Sequence, residues 1–115
     1  MAGNPNRNSS MNNAWIAWTT TETRADAEKL ARGAVEAGLA ACVQVEGPVR
    51  SFFSWEGKMQ NGEEFRISFK FTENNRKALE EYVLKHHPYE NPEWIGIPLQ
   101  MVAEKYLRWM ENPST

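Results

Sequence analysis

Between Phe65 and Thr72 the chain alternates without a break: Phe65, Ile67, Phe69 and Phe71 stand at every second position, separated by Arg66, Ser68, Lys70 and Thr72. Successive side chains of a strand point to opposite faces, so this pattern predicts a strand with one apolar and one polar face. Aromatic rings gathered on one face need an apolar cover, and a single strand cannot satisfy its own backbone donors and acceptors. The rest of the chain therefore has to supply pairing strands at the edges and a layer over the Phe face. A length of 115 residues leaves room for one such core.

The other segments divide naturally into that role. Ala14-Trp15-Ile16-Ala17-Trp18-Thr19-Thr20-Thr21 mixes aromatic, β-branched and small residues over a strand's length and reads as a first strand. After it, Ala27, Leu30, Ala31, Ala34 and Val35 recur at helical spacing, with Thr23 and Asp26 arranged as a cap and Gly38 placed for a left-handed helix end. Leu39 to Trp55 is long for one strand, and Gly47-Pro48 in its middle predicts a bend, because Pro lacks a ladder donor and Gly permits a bulge. Gly57-Lys58-Met59-Gln60-Asn61-Gly62 reads as the turn into the alternating strand. Asn74 or Asn75 caps a second helix carrying Leu79, Tyr82, Val83 and His86 on one face, and Pro88 prevents its continuation. His86 is read as completing that apolar face, beside the negative end of the helix dipole. Trp94 to Leu99 reads as a fourth strand at a sheet edge, and Val102, Tyr106, Trp109 and Met110 predict a last helix. Residues 1–13, rich in Asn and Ser with little to bury, are expected to form a disordered tail ahead of one domain over 14–112.

The order β-α-β-β-α-β plus a terminal helix is the α+β, ferredoxin-like arrangement: an antiparallel sheet with helices on one face and a long β2-β3 hairpin. The bare face and the hairpin edges expose apolar surface and unpaired backbone, which closed oligomerisation would cover. Hydrophobic residues at 41%, with five Trp and five Phe, exclude a chain that is disordered throughout. A net charge of −2 supplies no basic field for nucleic acid. No apolar run approaches the roughly 20 residues that span a bilayer, and the N-terminus lacks the plan of a signal peptide, so a cytoplasmic protein without membrane attachment is expected. The single Cys42 makes no intrachain disulfide, in keeping with a reducing compartment. With no Ser-His-Asp plan, glycine-rich phosphate loop, HExxH or CxxC, no enzymatic activity is expected.

Five passages carry a family resemblance: Leu39-Ala40-Ala41-Cys42; Ser51-Phe52-Phe53-Ser54-Trp55-Glu56-Gly57-Lys58; Glu64 with Lys70; His87-Pro88-Tyr89-Glu90 with Pro92-Glu93; and Tyr106-Leu107-Arg108-Trp109. In this order and spacing the chain resembles the CutA family, the divalent-cation tolerance proteins, over about Ala14 to Met110. The resemblance implies a ferredoxin-like domain, a tight homotrimer in which the long hairpins of neighbouring subunits join their sheets, and a part in the response to divalent metal ions. Three positions depart from the family pattern: Phe53 where Tyr is usual, Lys70-Phe71 where Lys-Thr is usual, and Val102 where Gly is usual.

The candidate site residues carry alternative roles. Cys42 is either a buried, inert thiol or a soft ligand for copper, since thiolate and imidazole suit copper better than hard cations do. His87, followed by Tyr89, Glu90 and Glu93 in a constrained loop, is either a ligand or pocket residue or the anchor of that loop. Cys42, His87, Glu90 and Glu93 form the candidate set for copper or another divalent cation. Lys70 and Glu64 on one strand face form an ion pair or subunit contact, or else Lys70 meets an anion at a subunit cleft, as a fold-level likeness to PII signalling proteins implies. Trp55, Tyr106 and Trp109 read as core or interface aromatics, and with Tyr89 as candidates for lining a pocket. Two functions compete: a metal-ion response protein with copper-binding capacity, and a PII-like sensor holding a small anionic molecule or a protein at its subunit clefts. An RNA platform built on Phe65, Phe69 and Phe71 is the weakest reading, because the alternation turns those rings under the helices.

Overall fold

The computed structural model describes residues 13–113. Of the tail expected over 1–13, residues 1–12 lie outside them, while Asn13 is joined to the fold: its carbonyl accepts from the Glu73 amide at 2.7 Å, and its side-chain amide donates to Glu111 at 2.8 Å. The elements are β1 (Ala14–Thr21), α1 (Arg24–Glu36), β2 (Cys42–Trp55), β3 (Lys58–Thr72), a 3-10 turn (Glu73–Asn75), α2 (Arg76–His86), β4 (Ile95–Pro98) and α3 (Glu104–Glu111). The four strands form one antiparallel sheet in the order β2-β3-β1-β4. This is the α+β ferredoxin-like arrangement with an added C-terminal helix.

The alternating strand lies in the middle of the sheet, with β2 on one side and β1 on the other. Ile67, Phe69 and Phe71 are buried, and Ala27, Leu30 and Ala34 of α1 pack on them together with Leu79 and Val83 of α2. Full burial of a side chain of this size contributes about 1.5–3 kcal/mol, so these few residues hold the layers together. Phe69 and Phe71 are closed to base stacking. Helix α1 starts as its sequence predicts, with the Asp26 amide donating to Thr23 Oγ1 at 3.1 Å. It ends at Gly38, whose φ of +73° is the left-handed conformation glycine adopts freely.

Several local expectations need correction. The hairpin turn is two residues, Glu56-Gly57, both with positive φ (52° and 78°), and β3 begins at Lys58, so 58–62 is strand rather than turn. Two left-handed residues match the twist of the paired strands, whereas an unprimed two-residue turn would splay them. Asn75 sits at the start of α2 but does not cap it; its side-chain amide donates to the Gly38 carbonyl at 3.3 Å. Val35 is exposed, and so is His86, whose Nδ1 lies 2.9 Å from the Tyr82 carbonyl; each falls on the solvent flank of its helix. Helix α3 packs against β3 through buried Met110 and leaves Tyr106 and Trp109 exposed, so neither is a core aromatic of this chain. Ala14 and Thr72, which point away from the Phe core, are buried at that end of the sheet, and Ser68 on the same face is buried farther along β3, so the second face is not bare.

The bend at Gly47-Pro48 has the largest geometric consequence. Before it, even-numbered residues of β2 pair with even-numbered residues of β3, from Cys42 opposite Lys70 to Glu46 opposite Arg66. After it Val49 pairs with Glu64, Phe53 with Gln60 and Trp55 with Lys58. One residue has been added to β2, so its odd-numbered side chains now share the face of Glu64. Gly47 has φ +144°, and a Cβ there would come within 2.9 Å of the Phe65 ring and 3.0 Å of the Glu64 carbonyl. Arg24 at the start of α1 supports the kink, its guanidinium lying 4.8 Å from the Phe65 ring centroid and donating to the Gly47 carbonyl at 3.4 Å. Gly47→Ala is therefore expected to destabilise the protein by about 1–3 kcal/mol in urea unfolding. Gly62→Ala, where nothing lies within 4 Å, should stay within about 1 kcal/mol of the parent.

Candidate functional site

Beyond the bulge the β2-β3 arm runs outward, giving the chain extents of 55 × 29 × 22 Å, and its Glu64 face looks toward the segment between α2 and β4. The position of that segment follows from the end of the sheet. β4 pairs with β1 only as far as Trp18, so the β1 edge beyond it needs other partners. His87 supplies them. Its Nδ1 accepts from the Tyr89 amide at 3.0 Å, which places the ring proton on Nε2; Nε2 in turn lies 2.9 Å from the Thr20 carbonyl and 3.0 Å from the Thr19 hydroxyl. Pro88 follows directly and stops α2, so the chain leaves the helix in a direction set by the imidazole. Of the alternatives open for His87, the geometry realises the loop anchor: both ring nitrogens are engaged within the chain.

Tyr89 extends the same device. Its hydroxyl donates to Glu64 Oε2 at 2.8 Å, and the Thr20 hydroxyl donates to the same oxygen at 3.2 Å. Burial, with the Glu64 carboxylate beside it, pushes the Tyr89 phenol well above its ordinary range, so it remains a donor at every physiological pH. Glu64 is thus held by Tyr89 and Thr20 rather than by Lys70. Lys70 stands six residues along β3, opposite Cys42, and neither reaches the arm. Cys42 is half-buried on the sheet face opposite the Phe core, so the expectation of a core thiol is corrected: the strand begins at Cys42, and its register turns the side chain away from the helices.

The arm and the loop enclose a cleft of about 760 Å³. Glu64, Tyr89, Glu90, Glu93 and Trp55 all line it, so five of the ten residues singled out from sequence meet there. Thr20, Ser51, Phe52, Phe53, Asn91 and Pro92 complete the wall and were not singled out. The signal for Ser51 and Phe53 was present, because they share parity with Trp55 in one motif; Thr20 and Asn91 offered none. Cys42, His87, Lys70, Tyr106 and Trp109 do not line the cleft. Among the described residues no three His, Cys, Asp or Glu side chains converge as a metal-binding group, so Cys42, His87, Glu90 and Glu93 do not form one site within the chain. Partial desolvation of its carboxyl, with the negative charge of Glu64 added, pushes the pKa of the largely exposed Glu93 up, against a smaller opposing effect of Arg66. The cleft is thus electrostatically negative, which disfavours a small anion there.

Two pH- and charge-dependent outcomes follow. Burial holds the His87 imidazole below its ordinary range, against the Thr20 carbonyl, Asp26 and Glu64, which favour its charged form. The unfolded chain therefore takes up this proton first, so the stabilisation is complete above about pH 6.5 and is lost as pH falls from there through the folded-state pKa. Thermal melts across that window should show the loss in the parent and a flatter profile in His87→Gln. Glu93 has the opposite sign: its raised pKa opposes folding of the charged form at neutral pH. Glu93→Gln should raise Tm at neutral pH, by a small amount because the residue is solvent-exposed, and the difference should vanish in acid.

The sequence profile of the family described as "CutA1 divalent ion tolerance protein" matches residues 15–113. The chain is 34% identical to "Divalent-cation tolerance protein CutA" of Yersinia pestis over 101 residues, covering 88% of this chain and 85% of that protein. It is also 34% identical over 99 residues to "Protein CutA, chloroplastic" of Arabidopsis thaliana, covering 86% of this chain but only 54% of that longer protein. The solved CutA structure from Synechococcus elongatus superposes with a TM-score of 0.85 at 33% identity, covering 90% of this chain and 92% of that one.

Proposed function

This chain belongs to the CutA1 divalent ion tolerance family, and from that premise we propose that it serves divalent-ion tolerance by binding cations, without catalysis, as a homotrimer in the cytoplasm. The observation that carries the reading is the cleft in which Glu64, Glu90 and Glu93 stand together with no basic side chain in the wall. Carboxylate, hydroxyl and amide oxygens are hard donors that suit divalent cations of the magnesium, calcium and manganese type. Because the three carboxylates line a wall rather than converge, the cation keeps part of its water shell or draws a further ligand from a neighbouring subunit.

The trimer is supported by the exposed edge of β2 and by the apolar residues the chain leaves in water: Phe52, Phe53, Trp55 and Met59 on the arm, Ile95 and Ile97 on β4. Surface of that kind, on an arm of this length, calls for a symmetric partner. Copper is assigned to Cys42, which is half-buried and stands outside the cleft, with another copy supplying the further donors. A reducing cytoplasm keeps such a thiol available. The PII-like alternative finds no support in the cleft, since Lys70 is distant from it and the wall is acidic.

Native mass spectrometry with manganese and Cu(I) titrations separates the two cation assignments. The expected result is a trimer whose manganese uptake is lost in Glu90→Gln/Glu93→Gln and kept in Cys42→Ser, with Cu(I) uptake following the reverse pattern. A monomer, or uptake of both ions unchanged by either variant, would overturn the reading.

A further inference from the structure

The segment from Pro88 to Glu93, between α2 and β4, has few polar ties to the rest of the molecule. Among the described residues no backbone-to-backbone hydrogen bond reaches it, and its hydrogen bonds come from one residue, Tyr89. The Tyr89 amide donates to His87 Nδ1 at 3.0 Å, and the hydroxyl donates to Glu64 at 2.8 Å. His87 is buried, with Nε2 against the Thr20 carbonyl at 2.9 Å and the Thr19 hydroxyl at 3.0 Å. The two sides of the ring thus serve different parts of the chain: Nε2 holds the end of β1, and Nδ1 holds the loop. Only the neutral ring does both, because an imidazole that accepts at Nδ1 carries its one proton on Nε2.

A second proton can enter only at Nδ1. Nε2 keeps its donation to Thr20, but Nδ1 becomes a donor facing the Tyr89 N–H, and that bond is lost. The freed amide then gains by turning to water. We infer that His87 is a proton-operated latch on the 88–93 loop: the neutral imidazole ties the loop to β1, and the charged imidazole keeps β1 while letting the loop swing away from the sheet. Of the elements packed on the ring, α1 brings Asp26 and β3 brings Glu64, which both favour the charged form, while β1 brings only the Thr19 hydroxyl and the Thr20 carbonyl. Burial opposes these and outweighs them, so the closed latch resists the proton, whereas in the open loop the ring takes it at its ordinary value of about 6.5. Opening is therefore favoured progressively as pH falls below about 6.5. The Tyr89 phenol, which faces Glu64, Glu22 and Asp26, stays protonated throughout and adds nothing to the change. His86 is exposed and turned to the Tyr82 carbonyl, outside this set. The latch works whether or not the cleft takes a cation.

Amide hydrogen exchange of the full chain, read residue by residue by NMR between about pH 7.5 and about pH 4.5 and corrected for the intrinsic pH dependence of exchange, tests the latch. Below about pH 6.5 the protection of the Tyr89 amide should fall by up to about tenfold per pH unit, the linkage slope for one proton. The Ala41 and Leu99 amides, bonded to the Lys70 and Ala14 carbonyls, should keep their protection. His87→Asn, which puts a non-titrating oxygen in place of Nδ1, should remove the slope, and His86→Gln should retain it. Comparison of Tyr89 with Ala41 and Leu99 in the parent decides the matter even if His87→Asn does not fold. A Tyr89 protection that is flat with pH, or a fall shared equally by Ala41 and Leu99, overturns the inference. So does a slope that survives His87→Asn or disappears in His86→Gln.

Discussion

The extra residue that β2 accommodates at Gly47-Pro48 decides what the outer half of the molecule can do. Up to Glu46 the strand serves the core, its Val43 and Val45 packing against the α1–α2 layer while Cys42 and Gln44 look the other way. Past the bulge the faces exchange, and Ser51, Phe53 and Trp55 arrive on the side of Glu64. The cost is local and visible: a glycine at φ +144° with a phenylalanine ring and a carbonyl where a side chain would otherwise stand. The return is an aromatic wall facing an acidic loop. A straight strand of the same composition would have turned Phe53 and Trp55 to the other face from Glu64.

The opposite wall depends on a different economy, that of unpaired backbone. β4 is only four residues long and leaves the end of β1 without a neighbour. His87 closes that end with one ring, taking the Thr20 carbonyl and Thr19 hydroxyl on one nitrogen and the Tyr89 amide on the other. Tyr89 then fixes Glu64 from across the cleft. Sheet terminus, loop and Glu64 form one hydrogen-bonded chain, so that carboxylate is held in place even though the loop makes no strand pairing.

The fold was legible in the sequence because its governing signals are periodic. The alternation from Phe65 to Thr72, the helical repeat of Ala27, Leu30 and Ala34, and the start and stop residues Thr23, Gly38 and Pro88 each report one backbone geometry. The misreadings concern side chains with more than one partner available. Asn75 reaches Gly38 instead of its own helix, and Gln60 and Asn61, turn formers by composition, pair within the hairpin because Glu56-Gly57 already completes the turn. Half of the candidate site was legible through motifs; its grouping was not. That grouping depends on a change of strand parity at Gly47-Pro48 and on the tautomer of His87. Residue type allows a bulge at the first and an anchor at the second, but the faces and partners that result are properties of the folded register.

The most direct test is a nuclear Overhauser measurement on the labelled protein, reading contacts of the Phe53 and Trp55 ring protons. If the bulge orients the arm as described, both rings show cross-peaks to protons of the Tyr89–Glu93 loop, and Ser54 shows none. Cross-peaks to that loop from Ser54, with Phe53 and Trp55 silent, would mean that the register does not change at Gly47-Pro48, and the account of the cleft would fall with it.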